Sequence, residues 1–241
     1  MTATTGVFSD FEDTVFKYQY SGQLTVKQIA GGTPSDPNVA EGWIRTKLGM
    51  DKDELLRTMV AEAMVARGIT SEEATEEVSK NKHLNGFKRD DKGLYIEGRQ
   101  LKAALKEAAS VAVAAGNLDA RGWGKTNKGL LAYMAEHAFV LEDRLWLGVQ
   151  DESRIGLPVE KYHQEPSGVS QRFVHTFRGS GIQYEEYVDQ AVIDFTVISD
   201  HDFEAKDGWK KIWVTAQQQG IGASRSQGYG RYSVTRWDRI K

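Results

Sequence analysis

A glycine- and arginine-rich segment, Gly220 to Arg231, carries the clearest chemistry in this chain. It holds four glycines and two arginines within twelve residues, in the order GIGASRSQGYGR. Glycine accepts positive φ angles, and its missing side chain lets backbone N–H groups approach a phosphate closely. Arginine binds phosphate through two parallel hydrogen bonds or stacks on a base, and Tyr229 offers another stacking surface. The segment therefore predicts a contact with the sugar-phosphate backbone of a single-stranded nucleic acid.

The predicted binding residues are the glycine, serine, arginine and tyrosine members of this segment: Gly220, Gly222, Ser224, Arg225, Ser226, Gly228, Tyr229, Gly230 and Arg231. The same residues would also suit a helix C-cap followed by a tight hairpin, with both arginines simply solvated. The density of glycine and arginine exceeds what a cap requires. This excess favours the binding interpretation.

A second basic group stands at the start of a predicted helix over about 99–115. Gly98 precedes this helix, and Arg99 and Lys102 lie in its first turn. Helix N-termini bind phosphate through their unpaired N–H groups and the helix macrodipole. We therefore include Arg99 and Lys102 among the candidate nucleic-acid contacts. An ordinary packed helix whose basic side chains reach into solvent is the alternative.

The composition limits the other kinds of site. The 241 residues have a formal net charge of −3, so nucleic-acid binding would need a localised basic patch. Cysteine is absent, which excludes disulfides, thiolate metal sites and cysteine nucleophiles. The five histidines share no metal-ligand spacing, so we expect no metal and no cofactor. The N-terminal residues lack the pattern of a secretory signal, and no apolar run would span a bilayer, which favours the cytoplasm and no membrane partner.

Hydrophobic periodicity predicts an α+β fold. Residues 16–30, 94–96, 139–147, 191–198 and 231–240 alternate as strands. Helical patterns cover about 51–68, 99–115 and a final helix that Asp207 caps and Gly220 ends. Thr70 and Glu73 have the spacing of a capping box. Strand–helix–strand units at both ends, with antiparallel material between them, predict a ferredoxin-like or RRM-like antiparallel sheet with packed helices. We expect one domain over 1–241, with a helical insertion at 43–90 and a protruding hairpin or loop at 156–188.

The segment G-x-G-x-x-R-S-x-G-x-G-R resembles the C-terminal glycine-rich loop of the RAMP superfamily, the RRM-like subunits and processing enzymes of CRISPR ribonucleoprotein complexes. Three further segments agree with that resemblance: the strand Gly22–Ala30 running into Gly31-Gly32, the strand-to-helix junction Tyr95–Leu105, and the strong strand within Tyr184–Ile198. The resemblance is strongest to the guide-RNA backbone subunits. It implies a protein that holds single-stranded RNA and assembles with copies of itself or with other subunits along the strand.

Three other functions fit the same residues. A RAMP-type endoribonuclease would use Asp36, in the loop after the first strand, or His175, between Arg172 and Arg178, to activate a ribose 2′-hydroxyl. A phage-like single-strand DNA-binding or annealing protein would use the same loop chemistry. An interaction protein would direct the arginines of the loop to an acidic protein partner. We favour a binding role over catalysis, because the glycine-rich segment contains no catalytic group.

Overall fold

A computed structural model describes residues 15–34, 52–75, 84–118, 134–176 and 179–241, with the backbone alone at 34, 52–56, 59, 172–176, 179–182 and 206. The strands are Tyr18–Ala30 (β1), Thr33–Pro34 (β2), Leu84–Gly86 (β3), Lys88–Asp90 (β4), Gly93–Glu97 (β5), Ala138–Val140 (β6), Arg144–Trp146 (β7), Gly148–Val149 (β8), Gly168–Thr176 (β9), Gly179–Ser199 (β10) and Tyr232–Arg239 (β11). The helices are Lys52–Arg67 (α1), Gly98–Ala114 (α2) and Gly208–Gln219 (α3).

The described residues divide into two compact units. The first unit consists of the described residues up to Ile29, from Arg89 to Glu165 and from Asp189 onwards. The second unit consists of the described residues within Ala30–Lys88 and Pro166–Val188. Strand β10 contributes its early residues to the second unit and its later residues to the first. The expectation of one domain with an insertion at 43–90 and a hairpin at 156–188 stays a prediction.

The first unit contains the RRM-like core. Strand β1 lies between β11 and β10, with β11 antiparallel to it, and β6 and β8 pair antiparallel with β10. The chain visits β1, α2, β6, β10, α3 and β11 in turn, which is the β-α-β-β-α-β order of ferredoxin-like folds. The predicted α+β, RRM-like fold class is confirmed.

The main core lies between this sheet and helices α2 and α3. The predicted apolar stripe of α3 is buried, and it consists of Trp209, Ile212, Trp213 and Ala216. Helix α2 buries mainly alanine and leucine, and such small side chains allow close packing. Phe195 of β10 crosses Gly22 of β1 so closely that a Cβ at Gly22 would lie 2.2 Å from the ring. Glycine at this position therefore makes room for the aromatic core.

A smaller three-stranded sheet in the same unit has the order β4–β5–β7. Because side chains alternate along a strand, Leu94, Ile96 and Leu145 share the inner face, and all three are at most 5% exposed. Tyr95 and Trp146 are directly opposite each other in the β5–β7 register, and both are partly exposed on the outer face. This sheet therefore has an aliphatic inner face and an aromatic outer face.

The second unit contains α1 and three strand pairings. Strand β9 pairs antiparallel with β10, β3 runs parallel to β10, and β2 pairs antiparallel with β3. The predicted capping box is confirmed, because the Thr70 N–H donates to Glu73 Oε2 at 2.9 Å and the Glu73 N–H donates to Thr70 Oγ1 at 3.3 Å. The hydrogen bonds from Thr70 hold the pKa of the Glu73 carboxyl below its usual value.

The cap predicted for α3 is wrong in its chemistry. Asp207 occupies the N-cap position, but its backbone is left-handed at φ 57° and its carboxylate makes no cap hydrogen bond. The carboxylate instead accepts from Lys210 Nζ at 3.0 Å. Gly220 follows the last helical residue, as predicted. Within the described ranges, no helix is long and apolar enough to cross a membrane.

Candidate nucleic-acid interface

Two glycines hold the base of the segment Gly220–Arg231, which we call the glycine loop. Gly220 ends α3 at φ 77°, and a Cβ there would lie 2.8 Å from the Gly230 carbonyl carbon. Gly230 has φ 73°, and a Cβ there would lie 1.8 Å from the Ile221 oxygen. The Ile221 N–H donates to the Gly230 oxygen at 2.9 Å, so the two ends of the loop pair with each other. Larger residues would prevent this closure at both positions.

The base of the loop is also tied to the central strand of the sheet. The Gly230 N–H donates to the Gln28 oxygen of β1 at 2.8 Å, and Ile221 is fully buried. The loop is thus anchored both to the sheet and to the core. A rigid base of this kind presents the tip of the loop in one conformation, which reduces the entropy lost when a ligand binds.

The tip of the loop is a single 3-10 turn over Arg225–Gln227. Ser224 precedes it in the left-handed region at φ 53°, and Gly228 ends it at φ 93°. A left-handed non-glycine residue is uncommon outside turns and functional sites. A Cβ added at Gly228 would meet no atom within 4 Å, so this glycine is needed for its backbone angle alone.

The two arginines of the loop have different surroundings. Arg225 Nη2 donates to Glu107 Oε2 of α2 at 2.8 Å, and the Arg225 side chain is 33% exposed. Burial raises the pKa of the Tyr232 phenol, and the nearby Arg225 guanidinium partly opposes that rise. Arg231 is exposed, and among the described residues no carboxylate pairs with it. Arg231 is therefore the more available phosphate contact, while Arg225 also docks the loop on α2.

The structure places Arg99 and Lys102 in the first turn of α2, as predicted, but each has a partner within the chain. Arg99 Nε donates to Glu97 Oε2 at 2.7 Å. Lys102 Nζ lies 3.8 Å from the centre of the Phe139 ring. Burial and the neighbouring Lys106 lower the pKa of Lys102. The contact between α2 and the glycine loop runs instead through Glu107, two turns further along the helix.

The sheet face opposite the helices is covered by residues 151–162, which we call the strap. Gln23 of β1 is 1% exposed, accepts from the Gly156 N–H at 2.8 Å and donates to the Leu157 oxygen at 2.7 Å. Asp194 of β10 accepts from the Val159 N–H at 2.8 Å. RRM domains stack bases on the open face of their sheet. Here a partly buried polar network occupies that face.

Arg236 of β11 completes the network under the strap. Its guanidinium donates to the Gly156 oxygen at 2.8 Å and to Asp194 Oδ1 at 3.0 Å. Sequence reasoning missed this network. Its only signal in the sequence is that Gln23, Asp194 and Arg236 are polar residues inside three strands, each next to a residue of the apolar face.

The candidate catalytic residues stay predictions. Asp36 lies outside the described residues. His175 lies on β9, where the backbone alone is described. In the part of the chain that the structure describes, no group of three or more acidic or histidine side chains could hold a metal ion.

Comparisons with known proteins give similarities to solved structures only. No protein-family description matches the chain, and no curated protein matches it. The chain is similar to one chain of the cryo-EM structure of the Type III-B Cmr-beta bound to cognate target RNA. The TM-score is 0.44 and the identity 9%, and the match covers 97% of this chain but 65% of the other. Neither value is high enough to transfer a ligand or a partner to this chain.

Proposed function

We propose that this protein binds single-stranded nucleic acid, RNA in preference to DNA, through the glycine loop. The observation that carries the proposal is the construction of the loop: its glycine-only base is closed and anchored, and an exposed cation, Arg231, has no carboxylate partner among the described residues. A fixed loop with close backbone approach and an available guanidinium suits a sugar-phosphate chain. Arg225 supplies a second contact when it exchanges Glu107 for a phosphate.

The strap supports the choice of the loop over the sheet. A strand bound on the sheet face would have to break the hydrogen bonds of Gln23, Asp194 and Arg236 to the strap. Leaving a buried donor or acceptor unpaired costs about 1–3 kcal/mol, and Gln23 is only 1% exposed. The loop presents no such barrier.

The ribonucleoprotein context is the finer part of the proposal. The resemblance of the glycine loop and of the Tyr95–Leu105 junction to RAMP backbone subunits implies guide RNA as the strand and neighbouring subunits as partners. The junction does form a strand that enters a helix at Gly98. A near-neutral chain would bind RNA weakly alone, and several copies on one strand would share the contacts.

Fluorescence anisotropy with labelled single-stranded RNA tests the proposal. We expect weak, salt-sensitive binding by the wild-type chain, and loss of that binding in Arg225→Glu/Arg231→Glu. Arg239→Glu is the control, because it reverses the charge of an exposed arginine at the end of β11 that is distant in sequence from the glycine loop. Unchanged affinity in the double variant would rule out the loop as the site. Competition with DNA of the same sequence tests the preference for RNA, since the 2′-hydroxyl is the difference between them.

The same binding reaction tests the catalytic alternative. We expect the RNA to stay intact with and without magnesium. Cleavage that disappears in Asp36→Ala or His175→Ala would show an endoribonuclease and overturn a role limited to binding.

A further inference from the structure

The outer face of the small β4–β5–β7 sheet carries a cluster of rings and cations. Tyr95 and Trp146 are cross-strand neighbours, and Tyr162 meets Trp146 edge to face with ring centres 6.5 Å apart. All three rings are partly exposed. The aliphatic inner face already supplies the packing of this sheet, so the aromatic residues are not required for the core.

Two cations lie against these rings. Lys92 Nζ, in the exposed turn between β4 and β5, is 3.8 Å from the centre of Trp146 and 4.5 Å from the centre of Tyr162. The Arg144 guanidinium is 5.1 Å from the centre of Tyr95, and its side chain is 51% exposed. Asp90 accepts from both Arg144 and the Trp146 indole N–H, which fixes the two side chains side by side. Within the described ranges no carboxylate pairs with Lys92.

This combination selects one kind of ligand. A base that takes the place of Lys92 on the Trp146 ring stacks on a flat π surface, and the displaced ammonium, which has no carboxylate partner among the described residues, is then available to a phosphate. Unpaired nucleotides offer both, because each has a base and a phosphate. A purely apolar protein surface would cover the Lys92 ammonium without a compensating charge, whereas Arg144 is already paired with Asp90.

We propose that Tyr95, Trp146 and Tyr162, with Lys92 and Arg144, form a stacking platform for the unpaired bases of a single strand. The choice of RNA as the occupant rests on the proposed function of the glycine loop. The two surfaces act through different chemistry. The loop contacts the sugar-phosphate chain, whereas the platform contacts the bases.

Two oligomers of equal length separate these contributions. One is an adenine RNA, and the other carries the same ribose-phosphate chain without bases. We expect the wild-type protein to bind the adenine oligomer about tenfold more tightly, a factor within the range that stacking of one base on an aromatic side chain contributes. In Tyr95→Leu/Trp146→Leu, the affinity for the adenine oligomer should fall to that for the abasic oligomer, which itself stays unchanged. Trp146→Phe keeps a ring and should retain most of the difference.

Lys92→Glu changes a side chain that lies in an exposed turn, outside the core of the fold. It should lower the affinity for the adenine oligomer at least threefold without changing the melting temperature. Equal binding of both oligomers by the wild type would overturn the proposed platform and leave the proposed role of the loop intact. The same conclusion would follow if Tyr95→Leu/Trp146→Leu and Lys92→Glu both kept the wild-type preference for the adenine oligomer. Binding of neither oligomer by the wild type would overturn the proposed function and the platform with it. Platform variants that change only self-association would assign this face to a protein neighbour and overturn the inference.

Discussion

Arg225 of the glycine loop donates to Glu107 of α2 at 2.8 Å, and this ion pair joins two elements that are far apart in the sequence. The pair is partly exposed, at 33% and 49%, so it contributes at most about 1 kcal/mol to stability. Its larger effect is on the positive charge that the glycine loop presents to a ligand. Glu107 neutralises one of the two arginines that the proposed function assigns to RNA.

Glu107→Gln should therefore strengthen RNA binding. With Arg225 released, we expect about threefold higher affinity and a log–log salt dependence that is steeper by about 0.7, the value for one further phosphate contact on a single strand. Anisotropy titrations over a series of salt concentrations measure both. Glu160→Gln is the matched control, because it releases Arg154 of the strap from a similar exposed pair. An equal gain in the control would show a general charge effect and contradict a role for Arg225.

Gly230→Ala and Gly228→Ala test the construction of the loop. Both residues have positive φ, but an alanine Cβ at 230 would meet the Ile221 backbone oxygen, whereas at 228 it would meet open space. We expect Gly230→Ala to destabilise the fold by about 3 kcal/mol and Gly228→Ala by about 1 kcal/mol. Urea unfolding measures the difference. Equal losses at the two positions would show that the backbone angle, and not the closure with Ile221, controls the loop.

Asp194→Ala should loosen the strap. Asp194 accepts from Gln23, Arg236 and the Val159 N–H, so its removal leaves a partly buried guanidinium without its carboxylate. We expect a loss of about 2 kcal/mol and faster hydrogen exchange at the Gly156 and Val159 amides. Asp151→Ala, which removes only a turn-capping carboxylate, should leave those amides protected. Unchanged exchange in Asp194→Ala would contradict the role of the network in holding the strap.

Acid should destabilise the protein through His163. Burial lowers the pKa of His163, and its Nε2 has no hydrogen-bond partner among the described residues. Because the folded pKa is below the unfolded value of about 6.5, the unfolded chain takes up a proton first. The stability is therefore complete above the unfolded pKa and is lost as the pH falls through it towards the folded pKa. Thermal melting should show a smaller loss on acidification in His163→Gln than in the wild type. An equal loss would assign the pH dependence to other groups.

Local sequence patterns were sufficient for the elements that depend on near neighbours. The alternation in β1 and β10, the apolar stripe of α3 and the pairing of Thr70 with Glu73 each involve residues a few positions apart. The end of α3 at Gly220 was also predictable, since glycine is the usual residue where a helix stops at a positive φ.

Contacts between distant residues were not predictable in this way. Gln23 meets Gly156 across 133 residues, and Arg225 meets Glu107 across 118. The alternation of side chains along a strand puts Tyr95 on the face opposite Leu94 and Ile96, and Trp146 on the face opposite Leu145. The alternation does not tell which of the two faces packs against the rest of the protein. Asp207 shows another limit, because residue type predicted a cap and the left-handed backbone turned its carboxylate towards Lys210.

The pairing of β1 with β11 sets the order of events during synthesis. Tyr20 pairs with Arg239, so the central strand must wait for about 200 further residues before its neighbour on that side exists. At typical translation rates of about 5–20 residues per second, this takes roughly 10–40 s. The other edge of β1 waits until β10 has been made, whereas the edge that pairs with β11 stays unpaired for the whole interval. A chaperone bound to the nascent chain would have the most to protect at this edge.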